Sequence, residues 1–207
     1  CCDDAALPSN YNVSPSQSAW VVHGSSGNAA VSAMSWGFVP EWASETRFTR
    51  PINARSETAH EKPMFRTAFS KQRCLVLCDG YYEWQRLSKG HKQPHYFCLP
   101  LGAPMILAGL WSSNDRLTGN VLQTFCVLTV SASPVVNSVH HRMPVILDQE
   151  GQSAWLDPAR PEEAALRPWL RPWEGEIEVA PVSTFVNSPA NNSAQCIQPL
   201  QADSALG

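Results

Sequence analysis

Four short segments carry residues whose types and spacing suit covalent chemistry on a carbonyl. Cys1 offers a thiol and an α-amine on adjacent carbons. An α-amine titrates near about 7.7–8.0, so a useful fraction is the neutral nucleophile at physiological pH. Amine plus aldehyde gives an imine, and the neighbouring thiol can close it to a five-membered thiazolidine. In Cys78-Asp79-Gly80-Tyr81-Tyr82-Glu83-Trp84, a carboxylate follows an apolar run and sits among aromatics. Desolvation there would raise its pKa and fit Glu83 for proton transfer near neutrality. Val139-His140-His141-Arg142-Met143-Pro144 sets two imidazoles beside a guanidinium, one to shuttle protons and the other to bind an anion. Ile52-Asn53-Ala54-Arg55-Ser56-Glu57-Thr58 puts Arg55 at a helix start, a phosphate-friendly arrangement. Asn53 adds a donor and an acceptor for positioning a small reactive group.

Each segment also has a plainer reading. Cys1 can be an ordinary chain end, Glu83 and the histidines can be surface residues, and Asn53 and Ser56 can be turn and cap residues. Trp36-Gly37-Phe38-Val39-Pro40-Glu41-Trp42 brings two tryptophans around a glycine and a proline. Exposed, they could stack on bases or wedge a duplex end; buried, they belong to the core.

The elements that position these groups read as mainly β. Strand-like runs rich in Val, Ile, Leu and aromatics occur at Ala19–His23, Ala29–Ser35, Arg73–Cys78, His95–Pro100, Pro104–Trp111, Thr124–Ser131, Pro144–Leu147 and Ile177–Ser183. Gly90 and Gly102 punctuate a meander from Tyr81 to Trp111. Helices are few: one opening at Ser56 and stopped by Pro63, a turn at Ser153–Leu156, and one opening at Pro161-Glu162-Glu163. Seventeen prolines against eleven glycines in 207 residues fit many short elements with stiff turns. No regular strand–helix alternation appears, so the expected fold is a single α+β domain over residues 1–207.

Composition narrows the function classes. With 43% hydrophobic and 16% charged residues, the chain suits a packed globular protein. No apolar run is long enough for a membrane helix. The opening Cys1-Cys2-Asp3-Asp4 shows no basic or apolar leader, and the expected location is cytoplasmic. Seven cysteines leave an odd thiol. Cys74, Cys78, Cys98 and Cys126 lie in apolar runs, as reduced core thiols do. No zinc-ligand spacing is present, so no metal and no cofactor are expected. The net charge is −3, yet residues 47–92 hold ten of the fifteen Lys/Arg and four of the eighteen Asp/Glu. That distribution allows either a local phosphate-attracting face or an ordinary solvated surface.

Taken together, six blocks in order resemble the SRAP (SOS response-associated peptidase) family. They are Tyr11-Asn12-Val13-Ser14-Pro15, Trp36-Gly37-Phe38-Val39-Pro40, Asn53-Ala54-Arg55-Ser56-Glu57-Thr58, Asp79-Gly80-Tyr81-Tyr82-Glu83-Trp84, His140-His141-Arg142-Met143-Pro144 and Val186-Asn187-Ser188-Pro189. The resemblance implies a compact mixed β-barrel-like fold with short peripheral helices. It also implies covalent capture of the ring-opened aldehyde of an abasic site in single-stranded DNA, by a monomer. Under it, Cys1 supplies amine and thiol, and Glu83 is the acid/base. His140 aids ring opening and reversal, and Asn53 orients the reacting groups. Arg55 and Arg142 bind phosphate, while Trp36, Trp42 and Pro15 flank the DNA path. The family begins Cys-Gly-Arg with a longer stretch before its Tyr-Asn block, whereas here Tyr11 follows Cys1 by ten residues. Either Cys1 reaches the site on a short arm, or the family's reactive terminus or a stretch after Cys1 is missing from this sequence, and Cys1 and Cys2 are remnants of a loop. Two other functions stay open: a thiol peptidase or self-processing hydrolase using Cys1, His140, Glu83 and Asn53, and a non-catalytic single-strand DNA-binding module.

Overall fold

The structure is a computed structural model that describes residues 9–24, 28–45, 49–117 and 119–201, the Lys89 side chain excepted. Strands β1 (Ser18–His23) and β2 (Ala30–Trp36) pair as a hairpin. The other edge of β1 pairs with β4 (Arg73–Cys78), β4 with β7 (Met105–Asn114), and β7 with β8 (Leu122–Ser131), all antiparallel. β2 then meets β8 in parallel, with Ser35 beside Thr124 and Trp36 beside Phe125, which closes the five strands on themselves. Closure leaves few unpaired edges and encloses one core. The fold is the mainly β, barrel-like one that the sequence leads us to expect.

Burial follows the apolar runs. The β4 sequence RCLVLC and the β8 sequence LQTFCVLTV are buried almost throughout, because the barrel fills one face and other elements cover the second. Helix α4 (Gln149–Leu156) covers β4 and β7. Its Trp155 is buried and donates from Nε1 to the Cys74 and Gly109 carbonyls at 3.0 and 3.2 Å. The helix begins four residues earlier than the sequence suggests, since Asp148 caps it by accepting from the Gly151 amide at 2.7 Å. Cys74 and Cys126 are buried thiols, and Cys78 and Cys98 are half-buried; none of them is in a disulfide.

Two additions turn the barrel into a scaffold. Strand β3 (Asn53–Arg55) runs parallel to β8 just past β2, setting Asn53 beside Val127 and Arg55 beside Thr129. Helix α1 (Ser56–Ala59) follows directly, with Arg55 rather than Ser56 as its N-terminal flanking residue. The second addition is a three-stranded sheet of β5 (Gly80–Arg86), β6 (Lys92–Cys98) and β10 (Glu178–Pro181). β5 leaves β4 after one intervening residue, Asp79, which fixes it against the barrel.

The faces of β5 alternate. Tyr81 stacks on Phe97 (centroids 4.8 Å apart) toward the main core, while Tyr82 and Trp84 pack on a smaller cluster of Val182, Val186 and Cys196. Glu83 therefore shares the Tyr81 face. Gly80 permits this approach, because a Cβ there would lie 2.3 Å from the Phe97 carbonyl oxygen and 2.6 Å from the Tyr96 ring.

Candidate active site

Glu83 and His140 come together from elements 57 residues apart in the chain. β5 presents the carboxylate, and the loop between α3 (Pro134–Asn137) and β9 (Arg142–Pro144) presents the imidazole. The loop is fastened to β5 by Gln85, whose Nε2 donates to the Ser138 carbonyl at 2.9 Å. Its turn closes on itself through the His140 amide and the Val136 carbonyl, and β9 pairs Arg142 with Ser131 of β8.

The Glu83 Oε1 to His140 Nδ1 distance is 3.7 Å, an ion-pair distance too long for a hydrogen bond. The carboxylate thus keeps acceptor capacity for a third group. Burial pushes the Glu83 carboxyl above its ordinary value, and the facing His140 charge and the Trp84 amide pull it partly back. A carboxylate poised in this way can exchange protons closer to neutrality than an exposed one.

His140 Nδ1 lies 3.1 Å from the Arg142 carbonyl oxygen and 3.2 Å from the Arg142 amide nitrogen. Unprotonated, Nδ1 accepts from that N–H; protonated, it donates to that carbonyl. Its ring also lies 4.5 Å from that of His141. Both protonation states of His140 therefore have a backbone partner, which suits a proton shuttle.

The two arginines differ. Arg142 is mostly buried and its guanidinium is occupied: Nη1 and Nη2 donate to Glu57 Oε1 and Oε2 at 2.6 and 2.8 Å, and Nη2 also reaches the Thr129 carbonyl and hydroxyl. Hydrogen bonding to the Arg142 fork lowers the Glu57 carboxyl from its ordinary value, against the opposing effect of its partial burial. Arg55 is exposed, and its guanidinium has no hydrogen-bond or ion-pair partner among the described residues. Asn53 shares the exposed face of β3 with Arg55, while Ala54 points inward. Glu57 is the residue that sequence reasoning passed over; only its place in the Asn53–Thr58 block marked it.

The remaining expected residues are more dispersed. Trp36 is half-buried, donates from Nε1 to the Ile52 carbonyl at 2.9 Å and stacks on Phe125. Trp42 is 51% exposed at a groove of about 160 Å³ shared with Phe38, Pro40 and Met64. Pro15 is exposed beside Ser16, whose φ is 74°. Cys1 lies outside the described residues. Within the basic stretch, Arg73 is a correction: it is buried and donates to the Phe69, Ser70, Trp155 and Asp157 carbonyls, so it offers nothing to a ligand. Arg50, Lys62, Arg66, Lys71, Arg86 and Lys92 are exposed. Among the described residues, no three His, Cys, Asp or Glu side chains gather to hold a metal. No helix there is long and apolar enough to cross a membrane.

The chain leading in from the N-terminal side is pinned to the site's strand. Tyr82 donates its hydroxyl to the Tyr11 carbonyl at 2.7 Å. Asn12 is buried and points its Nδ2 at the Val186, Ser188 and Asn191 carbonyls, each at 3.0 Å. Trp84 donates to Asn187 Oδ1 at 2.8 Å. Three of the sequence blocks thereby meet on one face of β5.

These features define a closed β-barrel protein with a flanking three-stranded sheet and a facing carboxylate–imidazole pair, Glu83 and His140. The chain belongs to the SOS response associated peptidase (SRAP) family, which matches residues 2–189. It is 35% identical over 191 residues to abasic site processing protein YoqW of Bacillus subtilis, covering 91% of this chain and 85% of that one. Abasic site processing protein HMCES of Gallus gallus is 34% identical over 193 residues, with 81% of this chain and 57% of that one covered. Among solved structures, a protein from Bacteroides thetaiotaomicron superposes with a TM-score of 0.80 at 27% identity, covering 89% of this chain and 82% of that one.

Proposed function

We propose that this protein captures abasic sites in single-stranded DNA as a covalent adduct at Cys1. The observation that carries the reading is the Glu83–His140 pair on the strand to which the Tyr11-Asn12 segment is pinned. From Tyr11, ten residues extend at most about 33–36 Å, which is the upper limit on the reach of an amine at Cys1.

The chemistry balances without a cofactor. The ring-opened deoxyribose presents an aldehyde. The α-amine adds to it and water leaves, giving an imine. The thiol then adds to the imine carbon, and its proton passes to the nitrogen, closing the thiazolidine. Glu83 takes and returns protons in these steps, acting at the carbinolamine oxygen and at the thiol. His140 serves the sugar hydroxyl during ring opening and reversal. Asn53 orients the reacting groups, Arg55 binds a flanking phosphate, and Trp36, Trp42 and Pro15 flank the strand.

The abasic-site names of the relatives at 34–35% identity support this reading over general proteolysis. Its test is denaturation-resistant trapping of abasic single-stranded DNA by wild type, Cys1→Ala and N-terminally acetylated protein. Wild type is expected to give a heat-stable adduct. Cys1→Ala should give at most an imine that survives only after borohydride, and the acetylated protein should give none. Equal trapping by all three would overturn the role of Cys1.

A further inference from the structure

We propose that Glu57 is a positioning residue for the Glu83–His140 pair: its carboxylate locks the Arg142 guanidinium, and the Arg142 backbone in turn orients the His140 imidazole. The inference rests on abasic-site capture as the activity, and it assigns a role to a side chain 85 residues from its partner in sequence.

The route can be followed atom by atom. Glu57 stands in the first turn of α1, a helix held down by buried Ser56 and Ala59. It grips both terminal nitrogens of Arg142, and Thr129 of β8 grips one of them from the other side. The third nitrogen of that guanidinium, Nε, is buried and has no hydrogen-bond partner among the described residues. If the carboxylate left, only Thr129 would hold the side chain at its outer end, through Nη2 alone. A side chain only 15% exposed would then carry a charge facing one carbonyl and one hydroxyl. The chain at residue 142 would have to shift to let it reach solvent.

That shift bears on His140 directly. Its Nδ1 is bracketed by the N–H and the C=O of Arg142 itself, at 3.2 and 3.1 Å. The N–H lies in the 141–142 peptide and the C=O in the 142–143 peptide, so a displacement of residue 142 disturbs both brackets, and the imidazole turns away from Glu83. The surrounding groups do not supply a substitute. His141 contacts the His140 ring, Tyr81 and Cys78 lie on the Glu83 side, and Arg55 flanks Glu57. None of these donates to or accepts from His140 Nδ1.

The experiment uses full-length protein with Glu57→Gln, which keeps the shape, and Glu57→Asp, which keeps the charge. Three quantities are read: the His140 imidazole resonances of the free protein, the single-turnover capture rate of abasic single-stranded DNA across pH, and the thermal melt. In Glu57→Gln the His140 resonances should move and capture should slow roughly ten- to a hundredfold, as expected for a reacting pair displaced by about an ångström. The Glu83-dependent limb of the pH profile should move to higher pH, because the facing imidazole that lowers the Glu83 carboxyl is less well placed. Glu57→Asp should recover part of each effect. Unchanged His140 resonances and an unchanged profile in a folded Glu57→Gln protein would overturn the proposal, even if the rate fell. If wild type itself formed no adduct, capture would fail as the activity, and the His140 resonances alone would still decide whether Glu57 positions that ring.

Discussion

Replacing Arg55 and Arg142 separately should give two different results, although both stand beside Glu57. Arg55 is an exposed cation with no hydrogen-bond or ion-pair partner among the described residues, so a DNA phosphate that binds it releases a counterion. Each such contact with a single strand contributes about −0.7 to the slope of log affinity against log salt. Arg55→Ala should therefore flatten the slope by about that amount. Between about 50 and 200 mM salt, wild type should lose roughly two- to threefold more affinity than the variant. Arg142 has already neutralised its charge on Glu57 at 2.6 and 2.8 Å. Arg142→Ala should leave the slope near that of wild type while lowering stability by about 1–3 kcal/mol, a value discounted for the half-exposed carboxylate it deserts. The assay is reversible binding of an intact single strand, without an abasic site, at four or more salt concentrations, with a melt of each variant. Equal flattening by both substitutions would refute the division of labour between the arginines. An unchanged slope in Arg55→Ala would remove Arg55 from the phosphate path.

Three other substitutions test neighbouring parts of the account. Glu83→Gln should slow single-turnover capture by roughly 10²–10⁴-fold, the usual weight of a positioned acid/base. Because burial raises the Glu83 carboxyl above its ordinary value in the fold, its ionisation opposes folding. The variant should thus melt no lower than wild type at neutral pH; its advantage should shrink as pH falls through the raised value and vanish below the ordinary one. A lower melt at pH 7 would contradict this sign. Asn12→Ala leaves the Val186, Ser188 and Asn191 carbonyls without their shared donor and should cost about 1–3 kcal/mol, measured by denaturant unfolding. It should slow capture as well, by loosening the segment next to β5. Gly80→Ala places a Cβ against the Phe97 carbonyl and should destabilise by roughly 1–3 kcal/mol; an unchanged melt would refute the close packing of β5 on β6.

Seven of the eight apolar runs read from the sequence became strands, within a few residues at most ends, because each carries enough branched and aromatic residues to define a buried strand by itself; the eighth, Pro144–Leu147, overlaps β9 only at Pro144 and otherwise makes a single bridge from Ile146 to Leu107. What stayed hidden depends on distant partners. β3 is Asn-Ala-Arg, two exposed polar residues around a buried alanine, and is extended only because β8 offers an edge. Helix α2 (Arg66–Lys71) buries just Ala68 and Phe69, too little to register as a periodic face. Asn12 and the 186–191 carbonyls lie more than 170 residues apart.

At the site, Glu83, His140, Asn53 and Arg55 were legible as residue types beside aromatics or turns. Their grouping was not, since the Glu83–His140 contact depends on Gln85 holding the loop. Charge was the least legible property. Arg73, Arg142 and Arg55 look alike in a sequence, yet one is a buried backbone clamp, one is neutralised by Glu57, and one has no hydrogen-bond or ion-pair partner among the described residues. Glu57 reads from the sequence as an ordinary acid in a first helical turn, favourable there for the helix dipole.

The central claim is a covalent bond between Cys1 and the sugar of an abasic site. It is tested most directly by digesting the heated adduct with protease and nuclease and locating the sugar remnant by mass spectrometry. The account predicts that the remnant sits on the peptide that begins at Cys1. It should be joined through both nitrogen and sulfur, with one water lost from amine plus aldehyde, and should resist alkylation of that thiol. A remnant on a lysine, or on another cysteine, or a peptide whose Cys1 thiol still alkylates, would contradict it.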